Sequence, residues 1–125
     1  VYKYHNGNLE NIQSVVADTD KVQGSADIQI SPDGKFLYAS NRLEKDGIVI
    51  FIIQKDGKLA KIGYQRTGDH PRNFIISPNG KFLLVANKDH NNIQVFERDP
   101  ETGKLKDTNR NIQIDKPVCL KFIKD

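Results

Sequence analysis

An all-β chain built of repeated four-stranded units is what the sequence predicts, and three observations carry that prediction. The segment Ser31-Pro32-Asp33-Gly34-Lys35-Phe36-Leu37-Tyr38-Ala39-Ser40-Asn41-Arg42 returns 46 residues later as Ser77-Pro78-Asn79-Gly80-Lys81-Phe82-Leu83-Leu84-Val85-Ala86-Asn87-Lys88, identical at seven of twelve positions. Short apolar or alternating runs, bounded by Gly, Pro, Asn and Asp, fill the chain around those segments. No segment carries an apolar stripe at helical spacing. Four antiparallel strands in roughly 40–50 residues make a β-propeller blade. A sandwich would have no reason to repeat its sequence at a fixed interval.

Each element follows from its residues. Residues 1–4 and 9–16 read as the third and fourth strands of a preceding copy. Residues 27–30 alternate polar with apolar, and the Ser-Pro-Asp-Gly turn at 31–34 sends the chain back. Residues 36–40 return as a strand rich in aromatic and aliphatic side chains. Residues 48–53 form a continuous apolar run, expected of a strand covered on both faces. The Asp56-Gly57 turn leads to a more polar strand at 59–65, expected outermost. The second copy repeats this order over 73–76, 82–86, 93–96 and 105–114.

Pro71 maps onto Pro117, where a third copy begins. Ile28, Phe74 and Leu120 are then equivalent, as are Ile30, Ile76 and Phe122, and all six are expected on neighbouring innermost strands packed between blades. The expected division is the end of a blade over 1–23, complete blades over 24–69 and 70–115, and the innermost strand of another over 116–125. At 46 residues per copy, 125 residues amount to 2.7 blades, whereas propellers close with about 4–8. The last strand leaves an edge that calls for further blades or for self-association.

Composition narrows the function classes. A hydrophobic share of 37% with nine glycines fits a folded globular chain and excludes a disordered tail. No apolar run is long enough to cross a membrane. The single cysteine, Cys119, excludes an internal disulfide and reads as a small buried hydrophobe. Nineteen basic residues against sixteen acidic ones give a net charge of +3 with no clustering, so no nucleic-acid surface is expected. His5, His70 and His90 lack zinc-site spacing, and residues 99–104 lack the oxygen-ligand pattern of a calcium loop. With no GxSxG, P-loop or GxGxxG either, neither a metal nor a cofactor is expected. The opening Val1-Tyr2-Lys3-Tyr4 is neither an initiator nor a signal peptide, which suggests cleavage or a piece of a longer protein.

The segment from Ala26 to Arg42 resembles the penultimate-blade region of the propeller-type 6-phosphogluconolactonases. That seven-bladed lactonase family also includes fungal 3-carboxymuconate cyclase. His70-Pro71-Arg72-Asn73-Phe74, residues 83–87 and Asn92-Ile93-Gln94-Val95-Phe96 resemble the blade that follows, and residues 99–105 (DPETGKL) continue it. The resemblance implies a C-terminal portion of a seven-bladed ring. It also implies hydrolysis of a small anionic sugar lactone, 6-phosphogluconolactone to 6-phosphogluconate, in the cytoplasmic pentose phosphate route. The family's acid/base His and Glu belong to middle blades with no counterpart here, so these residues alone are expected to be inactive. A muconate-type lactonizing reaction and a non-catalytic propeller scaffold are the alternatives. A scaffold would carry apolar side chains in its channel-facing loops, where this chain carries polar ones.

Strand direction selects the candidate residues. The turns at 31–34 and 77–80 share one face of the disc, and loops entering the innermost strands share the other with loops joining second strands to third. Ala26, Arg72 and Val118 are equivalent, so blade geometry does not demand Arg72. Asp27 matches Asn73 and Cys119; His70 matches Gly24 and Lys116; Arg42 and Lys88 keep a cation at one position. The lactone that the resemblance implies needs cations for its phosphate, a donor for the developing oxyanion and a base for water. Arg42 and Asp27 are the catalytic candidates, and Arg72, His70 and Lys88 the substrate-binding ones. Arg42 suits the anion, while Asp27 or His70 suits the base. Each also has a structural alternative: Arg42 on loop carbonyls, Asp27 as a loop cap, His70 in solvent.

Overall fold

Alternating apolar positions on short strands can be buried only if one sheet face meets another, and the computed structural model shows two sheets meeting in this way. It describes residues 1–17 and 24–123; residues 18–23 of the first expected unit and 124–125 of the last lie outside the described residues. The strands are β1 (Tyr2–His5), β2 (Asn8–Asn11), β3 (Gly24–Ile30), β4 (Phe36–Arg42), β5 (Gly47–Ile53), β6 (Leu59–Arg66), β7 (Pro71–Ile76), β8 (Phe82–Asn87), β9 (Asn92–Arg98), β10 (Leu105–Asp107) and β11 (Ile112–Gln113). β1 and β2 form a hairpin, β3-β4-β5-β6 a four-stranded sheet, and β7-β8-β9-β10 a second sheet in which β11 also pairs with β9. Every pairing is antiparallel. There is no helix among the described residues.

The repeated turns are built alike. In each, the serine hydroxyl accepts from the backbone N–H five residues on (Ser31 from Phe36 at 3.0 Å, Ser77 from Phe82 at 2.9 Å). That hydroxyl donates to the following Asp33 or Asn79 side chain. The same side chains accept from the N–H of Lys35 and Lys81, each at 3.0 Å. A shared motif therefore gives a shared hairpin.

Between the sheets lies one core. Phe36, Tyr38, Ile48 and Ile50 of the first sheet pack with Phe74, Ile76, Leu83, Val85, Phe96 and Leu105 of the second. Each large side chain so buried contributes about 1.5–3 kcal/mol by area. The six residues expected between blades divide unevenly. Phe74 and Ile76 are buried, but Ile28 and Ile30 are 62% and 58% exposed and Phe122 is 44% exposed. Residues at these repeat positions face the blade before their own, and of that blade the described residues supply only the β1–β2 hairpin. Phe122 lines a groove of about 820 Å³ on the far face of the second sheet, with Phe82, Leu84, Val95 and Ile112.

Two strand expectations are corrected. Residues 105–114 do not form one strand: Asp107 accepts from the N–H of Asn109 at 2.8 Å, Asn109 adopts φ 55°, and the chain turns before β11. The innermost strand expected within 116–125 is absent from 116–123, which carry no strand. A strand needs a ladder partner, and none pairs with 116–123 among the described residues. Two N–H groups of that segment are held by side chains: Lys116 donates to Asn91 Oδ1 at 3.1 Å and Leu120 to Asn73 Oδ1 at 2.7 Å.

A polar latch joins the sheets at the turn end. Arg98, 5% exposed, donates from Nη2 to Asp33 Oδ2 at 2.9 Å and from Nε to the Gly80 carbonyl at 2.6 Å. Burial pushes the Asp33 carboxyl up, but Ser31, the Lys35 N–H and Arg98 outweigh it and lower it from 3.8 to about 2. A depressed carboxyl contributes stability that is present above its unfolded value and lost as pH falls through its folded value. That contribution is therefore expected to disappear as pH falls from about 4 to about 2. Asp33→Asn should abolish that part of the pH dependence in acid-unfolding curves and lower stability at pH 7. An unchanged acid limb would show that the latch is energetically idle.

Above the latch, the 99–103 turn of the second sheet rests on the first. Gly103 adopts φ +70°, its carbonyl accepts from the Tyr38 hydroxyl at 2.9 Å, and a Cβ there would stand 2.5 Å from the Phe36 ring. Its repeat counterpart, Gly57, adopts φ +81° in open space. Gly103→Ala is expected to cost about 2–5 kcal/mol, from backbone and collision together, and Gly57→Ala about 1–2 kcal/mol from the backbone alone. Urea midpoints of the two variants measure the difference; equal losses would contradict the seating of this turn on Phe36.

Candidate functional site

The end of the sheets opposite the 31–34 and 77–80 turns gathers the polar loops. Both innermost strands enter there through a register shift, between Ser25 and Ile28 in β3 and between Pro71 and Asn73 in β7. Such bulges re-aim side chains near sites, and these two carry Asp27 and Arg72. Buried Pro71 opens β7, the strand position a proline tolerates.

Asp27 is fully engaged. Its Oδ2 accepts from Asn73 Nδ2 at 2.6 Å and from the Phe74 N–H at 3.1 Å, and its Oδ1 from the Ile28 N–H at 2.8 Å. The carboxylate thus clasps the neighbouring innermost strand. Arg42, at the end of β4, donates from Nε to the Ser25 carbonyl at 3.3 Å, and its Nη1 lies 2.8 Å from His70 Nε2. The three remaining N–H bonds of its five have no partner among the described residues.

His70 crosses from the second sheet to reach Arg42. It sits in the left-handed region at φ 57°, and its carbonyl accepts from the Lys88 N–H at 3.0 Å. Its Nδ1 lies 2.9 Å from Asp89 Oδ2, and Lys88 Nζ lies 3.7 Å from Asp89 Oδ1. His90 Nδ1 and Asp69 Oδ2 stand 3.4 Å apart beside them. Arg72 is exposed and has no partner among the described residues. The structure therefore joins Arg42, His70 and Lys88 through Asp89, leaves Arg72 unpartnered one blade over, and ties Asp27 into the scaffold. Cations with free N–H donors at one end of two sheets are equipped to hold an anion. Among the described residues, no group of three or more His, Cys, Asp or Glu side chains is placed to hold a metal ion.

Asp89 was not among the expected site residues. One signal was available: Asp-His occurs twice, at 69–70 and 89–90, in two loops that strand direction brings to the same end. In the structure the two dipeptides pair crosswise.

Comparison with known proteins agrees with this architecture. Residues 1–122 match the family model described as Lactonase, 7-bladed beta-propeller. A 6-phosphogluconolactonase of Formosa agariphila is 57% identical over 109 residues, which are 83% of this chain and 31% of that protein. The Bacillus subtilis 6-phosphogluconolactonase is 39% identical over 123 residues, 94% of this chain and 35% of that protein. Among solved structures, the Pseudomonas aeruginosa periplasmic gluconolactonase aligns with a TM-score of 0.89 at 30% identity, covering 98% of this chain and 36% of its own. The chain spans about a third of the length of the curated relatives it matches. A family model that takes in all but the last residues, on a structure of stacked four-stranded antiparallel sheets, leads to one conclusion: the chain belongs to the seven-bladed β-propeller lactonase family.

Proposed function

We propose that the protein carrying this chain hydrolyses a sugar lactone, 6-phosphogluconolactone to 6-phosphogluconate, in the pentose phosphate route of the cytoplasm. The observation that carries the reading is the Arg42 guanidinium, braced on one edge by Ser25 and His70 with three N–H bonds left open. Water adds to the lactone carbonyl, the carbonyl oxygen becomes an oxyanion, and collapse expels the ring oxygen as a hydroxyl. A fixed guanidinium aimed at that oxyanion stabilises it without reorganising. Arg72 and Lys88 supply positive charge for the phosphate, with His70 beside them.

The base that activates water is assigned to blades outside these residues, because the Asp27 carboxylate accepts four N–H bonds and His70 Nε2 faces Arg42. Those remaining blades are the partners this chain requires, and 1–125 alone is expected to be inactive. Catalysis needs its groups held to within about an ångström, and an open ring does not hold them.

In the complete protein, Arg42→Ala should lower kcat/KM on the phosphorylated lactone by about ten- to a hundred-fold, the loss of one charge-assisted contact to an anion. Arg42→Lys should recover only part, because an ammonium lacks the planar fork. Hydrolysis measured against the spontaneous rate reads the effect. A lower Tm with kcat/KM of the folded fraction unchanged would remove Arg42 from the site.

A further inference from the structure

We infer that Asp89 is a positioning residue for Arg42, acting through the imidazole of His70; the inference rests on the role proposed for Arg42. An arginine side chain has no acceptor. With Arg42 Nη1 at 2.8 Å, His70 Nε2 must therefore present its lone pair, and the ring proton belongs on Nδ1. Nδ1 in turn lies 2.9 Å from Asp89 Oδ2, and an ionised carboxylate only accepts. Asp89 thus selects the one tautomer that can receive Arg42. With both ring nitrogens engaged the imidazole cannot rotate, and the Lys88 N–H bond to the His70 carbonyl ties the two loops at the backbone as well. The chain Asp89–His70–Arg42 runs from the β8–β9 hairpin of one sheet to the end of β4 in the other. It fixes one edge of the guanidinium and turns the other toward ligand.

The sign of the effect separates this role from a plain electrostatic one. As a bare negative charge near Arg42 and Lys88, Asp89 would weaken the hold on an anion, and neutralising it would lower KM. As a positioning residue its loss has the opposite sign. In Asp89→Asn the amide can offer an N–H to Nδ1, which moves the ring proton to Nε2 and sets donor against donor at Arg42.

The test is a double-mutant cycle on kcat/KM for 6-phosphogluconolactone in the complete protein, with Arg42→Ala as reference. Asp89→Asn should cost about tenfold. His70→Gln, which offers Arg42 an amide oxygen with no tautomer to choose, is the second background, and its own kcat/KM is the baseline there. Adding Asp89→Asn in that background should then cost nothing. Nitrogen-15 shifts of His70 give a reading independent of turnover: Nδ1–H in the parent, Nε2–H in Asp89→Asn. A fall in KM in Asp89→Asn, an equal cost in both backgrounds, or an Nε2–H tautomer in the parent would each overturn the inference while leaving a costly Arg42→Ala intact. A silent Arg42→Ala would overturn the site reading, and this inference with it.

Discussion

The innermost strand of a propeller blade is a sheet edge, and its outward N–H and C=O groups have no ladder to enter. At Phe74 both groups are satisfied by the preceding blade: Asp27 accepts the N–H, and the Gln29 amide donates to the carbonyl. One repeat later, Asn73 accepts the Leu120 N–H at 2.7 Å. Each blade thus completes the next one's inner edge, and everything else in this chain depends on that contact. It brings the apolar faces together, aligns the bulged strand entries, and sets the end of β4 within reach of the loop before β7. Arg42 and His70 meet because Asp27 has already fixed the distance between their strands.

Much of this was legible in the residues. The 46-residue interval located both sheets, the Ser-Pro-Asp-Gly and Ser-Pro-Asn-Gly turns fixed their first hairpins, and the apolar run of β5 announced a strand covered on both sides. Strand direction alone brings Arg42, His70, Arg72 and Lys88 to one end. What stayed hidden depends on what lies opposite a face, which periodicity does not encode. Ile28 and Phe74 occupy one repeat position, yet only Phe74 has a four-stranded sheet in front of it. The break between β10 and β11 is decided by a local turn at Asp107 and Asn109 that competes with an otherwise strand-like pattern.

Departures from the repeat were the better guide to what is particular about this chain. Arg98 stands where the first copy has Ile52, and Asp33 where the second has Asn79. A buried arginine in an apolar repeat position needs a carboxylate to receive it. The doubled Asp-His dipeptide is a departure of the same kind, with no counterpart in the first copy. Residues that agree between copies describe a blade; those that disagree describe what one blade does for another.

The Asp33–Arg98 latch carries a consequence for assembly. Repeats of similar sequence risk stacking on the wrong neighbour, because their apolar faces are nearly interchangeable during folding. These faces are not interchangeable at the latch. A second copy of the later blade stacked on itself would bring Asn79 toward Arg98, burying a guanidinium without its counter-charge, and a doubled earlier blade would strand Asp33 beside Ile52. The ion pair therefore acts as an address written into an otherwise repetitive surface, rejecting the neighbours that the repeat alone would accept.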